Sequence, residues 1–220
     1  MLNESKGNMY GFVTHTWNPI KGKCWHDCEY CYMKSFPQKE LHLAENELTD
    51  DLGSGRFIFV GSSTDMFAEN NPKDWIENVL EKCRKYPGNK YLFQSKNPKR
   101  IAEFVLPERS IIGTTIETNR VYNQIMGKAP YPLFRAEVIH MFKTMGFKTM
   151  ITIEPILDFD MKELVDLIRY ANPDWVNIGA DSKGHNLLEP SREKILTLIE
   201  ELKGFTEVRL KPNIKRIMGD

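Results

Sequence analysis

The chain has 220 residues, 41% hydrophobic and 27% charged, with 30 Lys plus Arg balancing 30 Asp plus Glu. That length builds one sizeable core and is short for two, so a single domain over residues 1–220 is expected. Zero net charge excludes the global basic footprint of a nucleic-acid coat, and the lack of a long apolar run excludes a membrane-spanning helix and a membrane partner.

In chain order, residues 1–10 are polar at Asn3, Glu4, Ser5, Lys6 and Asn8, unlike a signal peptide, and read as an N-terminal extension. A cytoplasmic location is expected, because clustered thiols also suit a reducing compartment. Residues 11–17 are rich in β-formers and stop at Asn18-Pro19, so a strand is expected to run into the loop that carries Cys24, Cys28 and Cys31. Residues 57–60 form an apolar run before Gly61, and residues 74–85 place Trp75, Ile76, Val79, Leu80 and Cys83 at helical spacing. A strand at 91–94, a short helix opened by Asn97-Pro98 and a strand at 110–115 come next. A helix over 133–145 is expected to turn Val138, Ile139, Met141, Phe142 and Met145 inward. The strands 149–153, 175–178 and 208–210 alternate with helices at 161–170 and 192–202. This alternation predicts α/β crossovers and a parallel sheet of about six units, either a partial barrel or an open doubly wound sheet.

The stretch Cys24-Trp25-His26-Asp27-Cys28-Glu29-Tyr30-Cys31 holds three of the four cysteines at C-x3-C-x2-C spacing. Three such thiols cannot all pair with one another, and they leave one position of a tetrahedral or cubane site without a cysteine. The residues alone admit a zinc site completed by His26 or His15, or a closed cluster completed by Cys83, although Cys83 reads as a buried thiol on an apolar helix face. In parallel α/β folds active groups gather at the carboxyl ends of strands. Here those ends carry Ser62, Ser63, Thr64 and Asp65, then Lys96, Thr115 and Glu117, Glu154, and Asp181. A glutamate ending an apolar strand is costly to bury alone, so Glu154 is expected at the barrel mouth or paired. Two basic clusters, Lys90, Lys96, Lys99 and Arg100 and then Arg209, Lys211, Lys215 and Arg216, read as solvated faces or as phosphate contacts.

The cysteine spacing, with aromatic Tyr30 just before Cys31, resembles the cluster signature of the radical S-adenosylmethionine (SAM) superfamily. The resemblance implies a partial (β/α)6 TIM-like barrel of parallel strands. It also implies a [4Fe-4S] cluster on Cys24, Cys28 and Cys31, and SAM chelated at the fourth iron and cleaved to a 5′-deoxyadenosyl radical. Thr64-Asp65 is similar to a Ser-Asp pair of the spore photoproduct lyase family, which implies that residues 62–65 receive the SAM ammonium. By the same resemblance Lys96 would meet the SAM carboxylate, Thr115 and Glu117 its ribose, and Tyr30, Glu154 and Asp181 would complete the site. Ser62 stands where that family has a hydrogen-donating cysteine, a departure that argues against the same lesion reversal; Tyr30, Tyr32 or Tyr122 would then donate.

Thr16-Trp17-Asn18-Pro19, Glu154-Pro155 and the loop Gly179-Ala180-Asp181-Ser182-Lys183-Gly184 resemble the short phage-type Gp37/Gp68-like group over about residues 13–211, with Ala180 and Asp181 replacing a glycine and a glutamate. The implied partners are an electron donor such as flavodoxin or ferredoxin and a nucleic-acid or nucleotide substrate. A small-molecule or peptide substrate, or a non-enzymatic zinc or iron-sulfur module, is the alternative.

Overall fold

The computed structural model describes residues 1–219. Its strands are β1 (Asn3–Glu4), β2 (His15–Trp17), β3 (Ile20–Lys21), β4 (His42–Leu43), β5 (Phe57–Val60), β6 (Lys90–Gln94), β7 (Ser110–Thr115), β8 (Lys148–Ile153), β9 (Trp175–Ile178) and β10 (Glu207–Leu210). Eight of them form one sheet in the order β1-β2-β5-β6-β7-β8-β9-β10, and β3 pairs with β4 separately. Every neighbouring pair from β2 to β10 is parallel. The edge strand β1 runs antiparallel to β2. The helices are α1 (Lys73–Arg84), α2 (Asn123–Met126), α3 (Pro132–Thr144), α4 (Met161–Ala171), α5 (Arg192–Lys203) and α6 (Lys215–Met218). The result is a partial (β/α) barrel.

Strand alternation sorts the core into two layers. Outward-pointing Ile58, Val60, Tyr91, Phe93, Ile112, Ile151, Ile153, Val176 and Ile178 pack under the helices, against residues such as Ile76, Val79 and Leu80 of α1 and Leu164 and Ile168 of α4. Each fully buried aliphatic side chain contributes about 1.5–3 kcal/mol, so this layer dominates stability. Inward-pointing Phe59, Leu92, Ile111, Met150 and Trp175 fill the barrel floor.

Three expectations change in detail. The strand expected from residue 11 begins at His15, because residues 10–13 form a turn closed by Val13 N–H donating to the Tyr10 carbonyl. That turn folds Tyr10 and Phe12 into the barrel, where their rings stack 5.4 Å apart and Phe12 meets Trp175 edge-on. The polar residues 1–10 are therefore part of the fold, β1 joining the sheet and Tyr10 the inner core. The short helix after Asn97 is a 3-10 helix over Pro98–Glu103. Finally, α3 buries Arg135, Ala136, Ile139 and Phe142, while Met145 and Leu133 are exposed. The stripe facing the sheet is rotated from the expected one, and it carries a guanidinium.

Candidate active site

The cysteine loop is gripped from two sides. On one side, the residues after β5 reach into it. Ser62 Oγ donates to Asn18 Oδ1 at 3.1 Å, Ser63 N–H donates to the same oxygen at 2.9 Å, and Thr64 Oγ donates to the Gly22 carbonyl at 2.9 Å. Asp65 Oδ2 accepts from His26 Nε2 at 2.9 Å. On the other side, α2 and the turn after it close in. Glu29 N–H donates to the Ile125 carbonyl at 2.9 Å and Lys128 N–H to the His26 carbonyl at 2.7 Å. The approach is close enough to need Gly127, which has φ +60°, and a Cβ there would lie 2.1 Å from the His26 carbonyl oxygen.

Cys24, Cys28 and Cys31 all face one cavity of about 1130 Å³. Its wall also holds Tyr30, Ser62, Ser63, Asp65, Lys96, Thr115, Glu154 and Asp181, so these expected site residues come together around the cysteines. Two others do not line it. Thr64 is buried and turned toward Gly22, away from the opening. Glu117, expected beside a ribose, lies behind the wall with no exposure, where it accepts from Tyr30 OH and pairs with Arg135 Nη1 at 2.8 Å. A buried carboxylate needs such partners. The Arg135 guanidinium and the Lys96 ammonium outweigh burial and hold Glu117 below its usual range.

Lys96 sits on the cavity side of that network, 5.2 Å from the Tyr30 ring centre and 3.9 Å from Glu117 Oε1. Burial acts against its charge, but Cys28 and Glu117 outweigh it and raise its pKa. Burial, reinforced by Asp65, pushes the Cys24 thiol up to about 12, and burial raises Cys28 as well. A thiol binds a metal only on losing its proton. Asp65 is the reverse case. Burial raises it, but His26 and the bonds from Lys96 N–H and Ser95 Oγ more than compensate and hold it below its ordinary value.

Away from the cysteines the wall is polar and largely paired. Glu154 accepts from Lys211 Nζ at 2.6 Å, Asn213 Nδ2 at 2.8 Å and Asn8 Nδ2 at 2.9 Å. It fits only because Gly179 lacks a side chain, since a Cβ there would lie 2.8 Å from the carboxylate. Asp181 bonds His185 Nδ1 at 2.7 Å and Lys183 N–H at 3.1 Å. Sequence reasoning did not assign roles to Asn8, Tyr10, Asn18 or Asn213, because those roles depend on distant partners. Arg135 did leave a trace, as an arginine four residues before Ile139 on an otherwise apolar stripe.

Several residues of the two basic clusters have partners, while Lys90 and Lys99 are exposed. Arg209 is bidentate to Glu207 and lies over Trp175 at 4.5 Å, Lys211 pairs with Glu154, and Arg216 pairs with Glu189. In the other cluster, Arg100 is buried and donates to the carbonyls of Ala68 and Asn71.

Three cysteines on one cavity are a donor set that suits a cubane cluster, whose thiolates each bind a different iron. Among the described residues no three His, Cys, Asp or Glu side chains converge closely enough to hold a single metal ion. Cys83, the fourth cysteine, is fully buried among the helix-side core residues and away from the cavity.

No protein-family model and no curated protein matches the chain. A point mutant of spore photoproduct lyase superposes with a TM-score of 0.61 over 91% of this chain at 13% identity. The chain shares its fold with that lyase. The same lyase solved with dinucleoside spore photoproduct gives a TM-score of 0.59 at 9% identity. SuiB of Streptococcus suis, solved with S-adenosylmethionine, gives 0.62 over 89% of this chain at 12% identity. The chain spans 64% of the lyase chain and 49% of the SuiB chain. Among the described residues no helix is long and apolar enough to cross a membrane.

Proposed function

We propose that this chain is a radical SAM enzyme, built on Cys24, Cys28 and Cys31. The observation that carries the proposal is the set of three thiols facing a large cavity on a fold shared with spore photoproduct lyase and SuiB, both radical SAM enzymes. When bound, a [4Fe-4S] cluster with SAM at its fourth iron supplies reductive cleavage to methionine and a 5′-deoxyadenosyl radical, which abstracts hydrogen from the substrate.

The chain's own residues bind, orient and exclude water. The three cysteines tether the cluster and leave the cavity side open. Lys96, charged and at the wall, offers an ammonium to the SAM carboxylate. Thr115, on the wall, offers a hydroxyl for the ribose, and Tyr30, the residue before Cys31, has its own hydroxyl committed to Glu117. Burial of Cys28, Tyr30 and His26 shields one side of the site, while Cys24 and Cys31 are half-buried, and such shielding is one of the conditions that set cluster potential.

The favoured substrate is a nucleoside or nucleotide unit bound inside the cavity. Supporting it are the likeness to a lyase solved with a dinucleoside photoproduct and a mixed wall in which Asn8, Gln94 and Glu154 offer hydrogen-bonding edges beside Tyr10 and Phe59. The paired state of Arg209, Lys211 and Arg216 argues for a small unit over a long duplex gripped by its phosphates. A peptide substrate is the second candidate, because SuiB is solved with a precursor peptide. An electron donor such as flavodoxin or ferredoxin completes the cycle.

The test is anaerobic reconstitution. The account expects about four irons per chain and conversion of SAM to 5′-deoxyadenosine under a strong reductant. A colourless protein that leaves SAM intact overturns it.

A further inference from the structure

We infer that Asp65 is a positioning residue for the cysteine loop, acting through His26, and is not the acceptor of the SAM ammonium. This inference rests on the radical SAM reading above and concerns how the loop is held.

An ionised carboxylate oxygen offers about two acceptor sites, and protein donors crowd onto Asp65 Oδ2 beyond that number. Oδ2 takes His26 Nε2 at 2.9 Å, Ser95 Oγ at 2.9 Å and Lys96 N–H at 2.8 Å, while Oδ1 takes Phe67 N–H at 3.0 Å. A ligand ammonium at Oδ2 would have to displace one of these donors and leave it unpaired in a buried place.

The donors also come from separate parts of the chain. His26 lies between Cys24 and Cys28, whereas Ser95 and Lys96 follow β6. Asp65 therefore joins the cysteine loop to the rim of the barrel. His26 has no other polar side-chain anchor among the described residues, because its Nδ1 is buried without a partner. The rest of the stretch points the same way, with Ser62 and Ser63 on Asn18 and Thr64 on the Gly22 carbonyl. Residues 62–65 form a clasp on the loop.

Four proteins decide the matter: wild type, Asp65→Asn, His26→Ala and His26→Gln, each reconstituted without oxygen. The readouts are the rate of iron loss to a chelator, the electron paramagnetic resonance (EPR) spectrum of the reduced cluster, and the SAM dissociation constant of the cluster-loaded fraction. A clasp predicts that Asp65→Asn and His26→Ala both lose iron about ten-fold faster and change the EPR line shape. Their loaded fractions should bind SAM within about two-fold of wild type, a difference small on the tenfold-per-1.4 kcal/mol scale. His26→Gln, which keeps a donor toward Asp65, should restore both iron retention and line shape.

The inference is overturned if Asp65→Asn keeps the wild-type cluster while SAM affinity drops about ten-fold or more and His26→Ala changes nothing. Should Asp65→Asn fail to fold, the pair His26→Ala and His26→Gln decides, since equal iron loss in both, or in neither, contradicts the clasp. A wild type that takes up no iron removes the radical SAM reading itself, and this inference with it.

Discussion

Arg135 Nη1 meets Glu117 Oε2 at 2.8 Å with neither side chain exposed. The pair also receives Tyr30 OH, which ties the residue before Cys31 to α3. Charge that is buried and paired contributes little net stability, but charge that loses its partner is expensive. Arg135→Ala should therefore cost about 3–5 kcal/mol in urea unfolding, and Arg135→Met with Glu117→Leu should recover most of it. A single mutant within about 1 kcal/mol of wild type, the size typical of exposed pairs, would contradict the pairing.

Acid should destabilise the chain in a defined direction. Glu117 and Asp65 sit below their ordinary values despite burial, and Asp174 does so against burial through Lys143 and Thr149 N–H. Carboxyls lowered on folding contribute stability that is complete above the unfolded range of about 4 and is lost as pH falls through the folded values. Urea midpoints should hold from neutral pH to slightly acid pH and then fall steeply. A midpoint that rises on acidification contradicts these assignments.

Gly127 has no room for a side chain, since a Cβ would strike the His26 carbonyl at 2.1 Å, and its φ is +60°. Gly127→Ala should leave the barrel folded by circular dichroism yet lower iron uptake on reconstitution, because the cysteine loop must move. Unchanged iron content would mean that the turn after α2 does not hold the loop.

How much of this was legible in the sequence follows from the range of the forces involved. Period-two and period-3.6 patterns are local, so β5 to β10 and α1, α4 and α5 were readable from their own residues. The cysteines were readable because their spacing is a local constraint as well. The clasp was not, since Asp65 looks the same in sequence whether its oxygens face a ligand or His26 and Ser95. The pairing of the tail Arg209, Lys211 and Arg216 was hidden for the same reason. Its carboxylate partners Glu154 and Glu189 are distant in sequence, and Glu207, though near, gave no sign of bidentate pairing.

That pairing carries a prediction for nucleic acid. Arg209 lies over Trp175 at 4.5 Å and over Phe12 at 5.2 Å, so it packs the open flank of the barrel. Arg209→Ala should destabilise the fold by about 1–2 kcal/mol through lost stacking and leave the salt dependence of oligonucleotide binding unchanged. A shallower salt slope in the mutant would identify Arg209 as a phosphate contact.

The most direct measurement is an EPR titration of the reduced, anaerobically reconstituted protein with SAM. The account predicts that SAM shifts the cluster spectrum, because one iron has no protein sulfur, and that 5′-deoxyadenosine accumulates in step. A cluster spectrum indifferent to SAM, with no 5′-deoxyadenosine formed, would contradict it.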